Sequence, residues 1–256
     1  MEQYWEIDEL TKARFLELCK LAAEDDLVFN NFRKNQDIKC IIENSNERVA
    51  KLYIQEIKKN QEDLFNSKIF RFLESDSYGD PEIVSFDDIS GLFMSPTTIR
   101  YIWILTLLSK HFNLDDYHIH EIGGGYGGQC KIIYDVYTPK SYTIYDLKEV
   151  NALQKRFLKQ FDIDIKTLSE PKYSPLSNEK LLVAVCLWSE LNIHLRIEYL
   201  VNVMSKCKNG FVYLNRDWDK NAEMIKLNIP FADFEIECIG PNPITENMIL
   251  IWKSKK

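Results

Sequence analysis

The chain reads as an α/β protein: a helical N-terminal region precedes a mostly parallel sheet wound with helices and closed by an antiparallel hairpin. Three observations carry this reading. From His118 onward, short apolar runs alternate with amphipathic ones, the pattern of parallel strands joined through helical crossovers. One run, LLVAVCLW at 181–188, is apolar without alternation, as a strand covered on both faces must be. The last two strand-like runs, 234–240 and 248–254, are separated only by PNPITEN, too short for a parallel crossover, so they pair antiparallel.

The elements follow in order. Through about Phe72 the pattern is helical: Leu10, Ala13, Phe15, Leu18 and Leu21 recur at helical spacing, and Val49, Leu52, Tyr53 and Ile57 repeat it. The polar segment ESDSYGDP at 74–81 ends helical structure by combining Gly79 with Pro81. Ser95 then suits an N-cap and Pro96 a first helical position, which predicts a helix running to about Phe112. Strands are expected at 118–122, 141–146, 164–168, 181–188 and 211–215, and amphipathic helices at 127–136, 149–160 and 193–206. The expected division is a helical region at 1–94, forming an acceptor-side cap, and a sheet domain at 95–256.

Composition narrows the function classes. At ~150 residues per domain, 256 residues make one to two domains. A 45% hydrophobic content supports a sizeable core. Lys+Arg 32 against Asp+Glu 39 leaves a net charge of −7 with no basic stripe, so no nucleic-acid partner is expected. The opening MEQYWE is acidic where a signal peptide is basic, and no apolar run approaches the ~20 residues of a bilayer span. A cytoplasmic location without a membrane span is the expectation. The six cysteines show no C-x-x-C spacing and read as free thiols of a reducing compartment.

The chemistry-bearing segment is EIGGGYGGQCKII at 121–133, which holds five of the nine glycines. Such a concentration costs backbone entropy and yields a sharp turn with bare main chain, against which a flat or anionic cofactor can lie. Gly123-x-Gly125-x-x-Gly128 matches the dinucleotide fingerprint. Glu121-x-Gly123-x-Gly125-x-Gly127 matches the turn of S-adenosylmethionine (SAM) enzymes. An anion at Glu121 would repel dinucleotide phosphates but favours the amino group of a methionine moiety. Asp146, closing SYTIYD, is placed to accept hydrogen bonds from both ribose hydroxyls, which suits NAD equally. The closing hairpin favours SAM. An NAD(P)-dependent oxidoreductase and a non-catalytic nucleoside-binding module are the alternatives.

Several segments in order resemble a known family: FNNFR (29–33), YGDP (78–81), SPTTIRY (95–101), EIGGGYGG (121–128), YDLKEVNALQKRFL (145–158), WSEL (188–191), GFVYLN (210–215) and NMILIW (247–252). Together they are similar to the sugar O-methyltransferase family of bacterial and some viral polysaccharide-modifying gene clusters, within the class I SAM-dependent methyltransferases. The resemblance implies a Rossmann-like sheet that binds SAM and methyl transfer to a hydroxyl of a sugar, nucleotide-sugar or glycan acceptor.

Ligands of a wound sheet collect at the carboxyl ends of its strands. A sugar hydroxyl is a weak acid and needs a base. Glu190 and His194, after the fourth strand, are the candidate catalytic residues, four apart and on one helical face if the helix begins that early. The cofactor set comprises Glu121, Gly123, Gly125, Tyr126, Gly127, Gln129, Asp146, Leu147, Ser189 and Arg100, with Arg100 able to pair with a carboxylate. Tyr126 is expected to press on the cofactor or line the acceptor pocket. Thr97, Asn215, Asp217 and Trp218 form the acceptor set, Trp218 stacking on a sugar face from a polar strand-end loop. Asp217 and Asp219 are spaced to help hold a divalent cation, but no metal site is expected. His118 and His120 read as strand-packed imidazoles, and Trp103, Trp188 and Trp252 as core. The oligomeric state is not legible.

Overall fold

The computed structural model describes residues 9–86, 92–172, 175–215, 217–239 and 247–255. In chain order the helices and strands are α1 (Glu9–Glu24), α2 (Asp26–Phe29), α3 (Gln36–Ile41), α4 (Glu47–Glu74), β1 (Val84–Phe86), β2 (Leu92–Met94), α5 (Pro96–His111), β3 (His118–Ile122), α6 (Gly128–Tyr134), β4 (Ser141–Tyr145) and α7 (Lys148–Lys159). Then come β5 (Lys166–Leu168), β6 (Ser177–Val185), α8 (Ile193–Asn202), β7 (Cys207–Leu214), α9 (Trp218–Asn228), β8 (Ala232–Ile239) and β9 (Asn247–Ser254). The α/β class, the mostly parallel sheet, its closing hairpin and the N-terminal helical region are as expected. Among the described residues no helix is long and apolar enough to cross a membrane.

The chain divides into two compact units. The first comprises Met1–Leu107, Gly125–Val136 and Lys148–Asp164, and the second Leu108–Gly124, Tyr137–Leu147 and Ile165–Lys256. The division falls within α5.

The first unit is largely helical, and its helix starts are capped by side chains. Asp25 accepts from the Val28 amide at 3.0 Å, Asn46 from Val49 at 3.0 Å and the Ser95 hydroxyl from Thr97 at 3.2 Å. The expected break at ESDSYGDP is present, and a short antiparallel hairpin, β1–β2, follows it. At the centre lies Arg33, fully buried. Its Nε donates to Glu43 at 2.7 Å, Nη1 to the Ser75 carbonyl and the Asp76 carboxylate at 3.0 Å each, and Nη2 to Thr98 at 3.3 Å. Its amide donates to the Gly79 carbonyl at 2.9 Å, and Asp76 also accepts from the Ser95 amide at 2.7 Å. Gly79 has φ +81°, and a Cβ there would collide with Phe32 and Arg33. The segments FNNFR, YGDP and SPTTIRY therefore converge on one buried guanidinium.

The second unit holds a seven-stranded sheet of order β5-β4-β3-β6-β7-β9-β8. β5, β4, β3, β6 and β7 run parallel, and β9 joins β7 and β8 antiparallel. β6 is buried without alternation from Lys180 to Ala184, as its apolar run requires. The run ends earlier than expected: after Val185 the chain turns into a 3₁₀ turn at Leu187–Glu190. A helix absent from the sequence reading, α9, follows β7, so Trp218 opens a helix instead of lying in a loop. Side chains of α8 and α9 (Tyr199, Leu200, Ala222, Ile225) share one core with Leu182, Val212, Leu250 and Trp252 of the sheet.

Two substitutions test this packing. Gly210 pairs with Trp252 across β7 and β9, and a Cβ at Gly210 would lie 2.1 Å from the indole. Gly210→Ala is expected to lower stability by about 3 kcal/mol in urea unfolding, as overpacking of a rigid core does; a loss below about 0.5 kcal/mol refutes the contact. Arg33→Met strands the Glu43 and Asp76 carboxylates in the interior. A loss of about 3–5 kcal/mol is expected by the same measurement, only partly recovered in Arg33→Lys because an ammonium lacks the fork.

Candidate functional site

Strand order reverses around β3, whose neighbours β4 and β6 both follow it in sequence. In such sheets the crevice beyond the carboxyl ends of the diverging strands is where ligands bind. Here it is bounded by Gly123 after β3 and Leu187 after β6. Gly123 is left-handed at φ +76°, and a Cβ on it would lie 2.2 Å from Leu187. A Cβ on Gly124 would meet Ile144 at 2.7 Å and the Glu121 carboxyl at 3.2 Å. Conformation and space therefore both demand glycine at 123, and space demands it at 124.

Glu121, on β3, is 1% exposed. Its Oε2 accepts one hydrogen bond, from the Tyr142 hydroxyl at 3.0 Å. Burial pushes its pKa up to about 8; the Tyr142 bond pulls the other way and the nearby Asp146 carboxylate adds to the rise. Burial therefore favours the protonated form of this carboxyl. Asp146, half-buried at the end of β4, accepts from the Leu147 amide at 2.8 Å, and its own amide donates to the Leu168 carbonyl at 3.0 Å. Leu147 is exposed.

The ends of β6 and β7 form a second group. Cys186 (φ +65°) and Asp217 (φ +40°), the residues that open the 3₁₀ turn and α9, are left-handed without being glycine, a conformation that stores strain. Trp188 Nε1, Ser189 Oγ and Asn215 Oδ1 are buried without a hydrogen-bond partner. Glu190, exposed, accepts from Asn215 Nδ2 at 3.4 Å. Arg196 donates to the Ser189 carbonyl at 2.8 Å and to Asn221 Oδ1 at 2.9 Å, while Asn221 donates to the Asp217 carbonyl at 3.1 Å. One guanidinium thus ties the turn after β6 to the start of α9.

Glu190 and His194 do not share a helix. Asn192 caps α8 by accepting from the Leu195 amide at 3.0 Å, Leu191 is extended, and the helix begins only at Ile193. Glu190 takes Asn215 as its partner, and His194 is exposed in the first turn of α8. The expected base-and-orienter pair is not built.

The remaining expected residues belong to the first unit. Gly125 (φ +54°) and Gly127 (φ +97°) are left-handed, and Gly127 caps α6. Tyr126 is fully buried, its ring edge-on to Phe157 at 4.8 Å and Phe32 at 5.4 Å, with the Arg33 guanidinium 5.0 Å away. Gln129 is buried and donates to the Tyr101 carbonyl at 3.2 Å, and Thr97 is buried. Arg100 donates to the Ile42 carbonyl at 2.8 Å and to Asn44, so its guanidinium has protein partners.

Sequence reasoning missed Tyr142, Leu187 and Arg196 beside these residues, while Trp188 is core as expected. Tyr142 reaches Glu121 only through the parallel register of β3 and β4, which pairs Glu121 with Ile144. No spacing along the chain signals that.

No known family model matches the chain, and no curated protein matches it. Among solved structures it is similar to the methyltransferase domain of bacterial CtHen1, with 9% identity over 60% of this chain and 97% of that one and a TM-score of 0.48. It is also similar to an S-adenosylmethionine-dependent methyltransferase from Clostridium acetobutylicum (8% identity, 60% and 89%, 0.46) and an rRNA methylase from Streptococcus thermophilus (10%, 56% and 90%, 0.43). At such identities and TM-scores no activity of this chain follows from them.

The buried carboxyl yields a prediction for the chain without ligand. A group whose folded pKa is raised stabilises fully below its unfolded value, about 4.5, and loses that contribution as pH rises through about 8. Wild type should lose on the order of 4–5 kcal/mol from this group between pH 4.5 and 8.5. Glu121→Gln should lack that component, so urea unfolding of the two proteins should diverge with rising pH. Parallel pH profiles would show that Glu121 titrates normally.

Proposed function

We propose that the chain is a SAM-dependent O-methyltransferase that methylates a hydroxyl of a sugar, either in a glycan or in a nucleotide-sugar. The observation that carries the reading is the buried Glu121 carboxyl at the strand-order reversal, beside a turn that tolerates no side chain at Gly123 and Gly124 and one strand from Asp146. When bound, SAM supplies a methyl group already activated by its sulfonium. The residues present suit such a donor. Glu121 has one hydrogen-bond donor and no cation among its hydrogen-bond partners, so it would hold the ammonium of a methionine moiety, whose charge would favour loss of the carboxyl proton to solvent. Asp146, half-exposed at the end of β4, is placed to accept from ribose hydroxyls. A dinucleotide would bring its phosphates close to Glu121, where a carboxylate repels them.

The acceptor side is read from the ends of β6 and β7. Ser189 Oγ and Asn215 Oδ1 lack partners, and a polyol supplies hydroxyls to satisfy them. Asp217 adds a carboxylate, and the half-buried Trp218 an aromatic face. Glu190, oriented by Asn215, is the first candidate to take the hydroxyl proton, with His194 the other. A net charge of −7 suits a neutral sugar better than a nucleic acid.

Calorimetry with SAM, S-adenosylhomocysteine, NAD and NADP tests the donor. SAM and S-adenosylhomocysteine should bind and the dinucleotides should not. Asp146→Ala should weaken binding at least tenfold. The measured heat should vary with the buffer's ionisation enthalpy, because Glu121 releases a proton on binding. Transfer of labelled methyl to a sugar panel tests the acceptor, and Glu190→Gln should lower turnover about 100-fold or more. Binding of NAD alone overturns the donor assignment, and near-full turnover in both Glu190→Gln and His194→Gln overturns the bases.

A further inference from the structure

We propose that His111, Glu235 and Glu237 form a zinc site that clips the last turn of α5 to β8, the edge strand of the sheet. His111 lies at the C-terminal end of α5, and Glu235 and Glu237, two apart on β8, project from the same strand face. One ligand atom from each falls within 4.8 Å of the others. The His111 side chain is only 7% exposed, and its Nε2 sits 3.2 Å from Glu237 Oε1 but out of line for a hydrogen bond. That nitrogen is therefore a buried polar atom without a hydrogen-bond partner, aimed into a pair of carboxylates. A buried polar atom left unpaired costs stability, and a metal ion removes the cost.

The donor set narrows the metal. One imidazole nitrogen and two carboxylate oxygens suit zinc, with water completing four-coordination, at metal–ligand distances of about 2.0–2.2 Å. Drawing the three atoms onto one ion requires a small inward shift. Glu235 is exposed and free to make it. The competing cation is Lys110, whose Nζ contacts both Glu237 oxygens at 3.0 and 2.9 Å. Its side chain is 60% exposed, so an exposed ion pair of small net value is all that zinc must displace. The end of α5 adds the negative end of a helix dipole.

The test uses the full chain stripped of metal with a chelator. Co²⁺ titration should produce visible d–d absorption that Zn²⁺ abolishes by competition, and Zn²⁺ should raise the melting temperature. Glu235→Gln, an exposed change that leaves the fold intact, should weaken Zn²⁺ at least tenfold and remove the thermal shift. Lys110→Gln, by deleting the competitor, should tighten it several-fold. Cys238→Ser, on the opposite face of β8, should leave it unchanged. The proposal fails if Co²⁺ gives no band, if Glu235→Gln binds as tightly as wild type, or if Cys238→Ser abolishes the signal, which would assign the metal to a thiol.

Discussion

A carboxyl group buried at the end of a central strand sets the terms for everything around it. Glu121 lies on β3 with a strand on either side and a single hydrogen bond from Tyr142. A charge there costs several kcal/mol without a partner, so burial favours the protonated form. The turn that follows pays no further penalty only because it is bare: Leu187 occupies the space beside Gly123, and Ile144 that beside Gly124. Any larger residue would push on either the core or the carboxyl. A site built this way favours a cationic ligand, because only a positive charge converts the buried acid from a cost into an attraction.

The helical unit solves a different problem. On either side of the long helix α4 its segments are short and irregular, and apolar packing alone would leave their backbone groups loosely placed. Arg33 organises them by offering five donors in a rigid plane. Carboxylates from Glu43 and Asp76, the Ser75 carbonyl and the Thr98 hydroxyl accept four hydrogen bonds from it, and Asp76 carries the connection to the Ser95 amide. Tyr126 places its ring beside the same guanidinium. Buried ion pairs add little net stability when complete but penalise every alternative arrangement, so the network acts chiefly on uniqueness.

Much of this was legible from the chain. The parallel strands, the start of α5 at Ser95-Pro96 and the hairpin of β8 and β9 follow from local patterns, because each is decided by neighbours in sequence. The features that escaped are decided elsewhere. α9 hid because WDKNAEMIKLN offers only Trp218, Ala222 and Ile225 as an apolar stripe among charges, and its left-handed first residue, Asp217, resembles a loop. β1 and β2 are three residues each, too short to show a period. Tyr126 looked like a ligand contact because it sits among glycines, yet Phe32 and Phe157, far away in sequence, draw it into the core. The spacing of Glu190 and His194 suggested a pair, but Asn192 caps the helix between them.

Where local rules fail is itself informative. Beyond β6 and β7, Cys186 and Asp217 are left-handed and Trp188, Ser189 and Asn215 keep unpaired buried atoms, as several residues elsewhere also do. Apolar packing cannot supply a hydrogen-bond partner to a hydroxyl, an amide oxygen and an indole N–H. Arg196 and Asn221 hold the two turns together without satisfying those atoms. The two turns are thus fixed to each other by a guanidinium and an amide, while the hydroxyl, the amide oxygen and the indole N–H beside them stay unpaired.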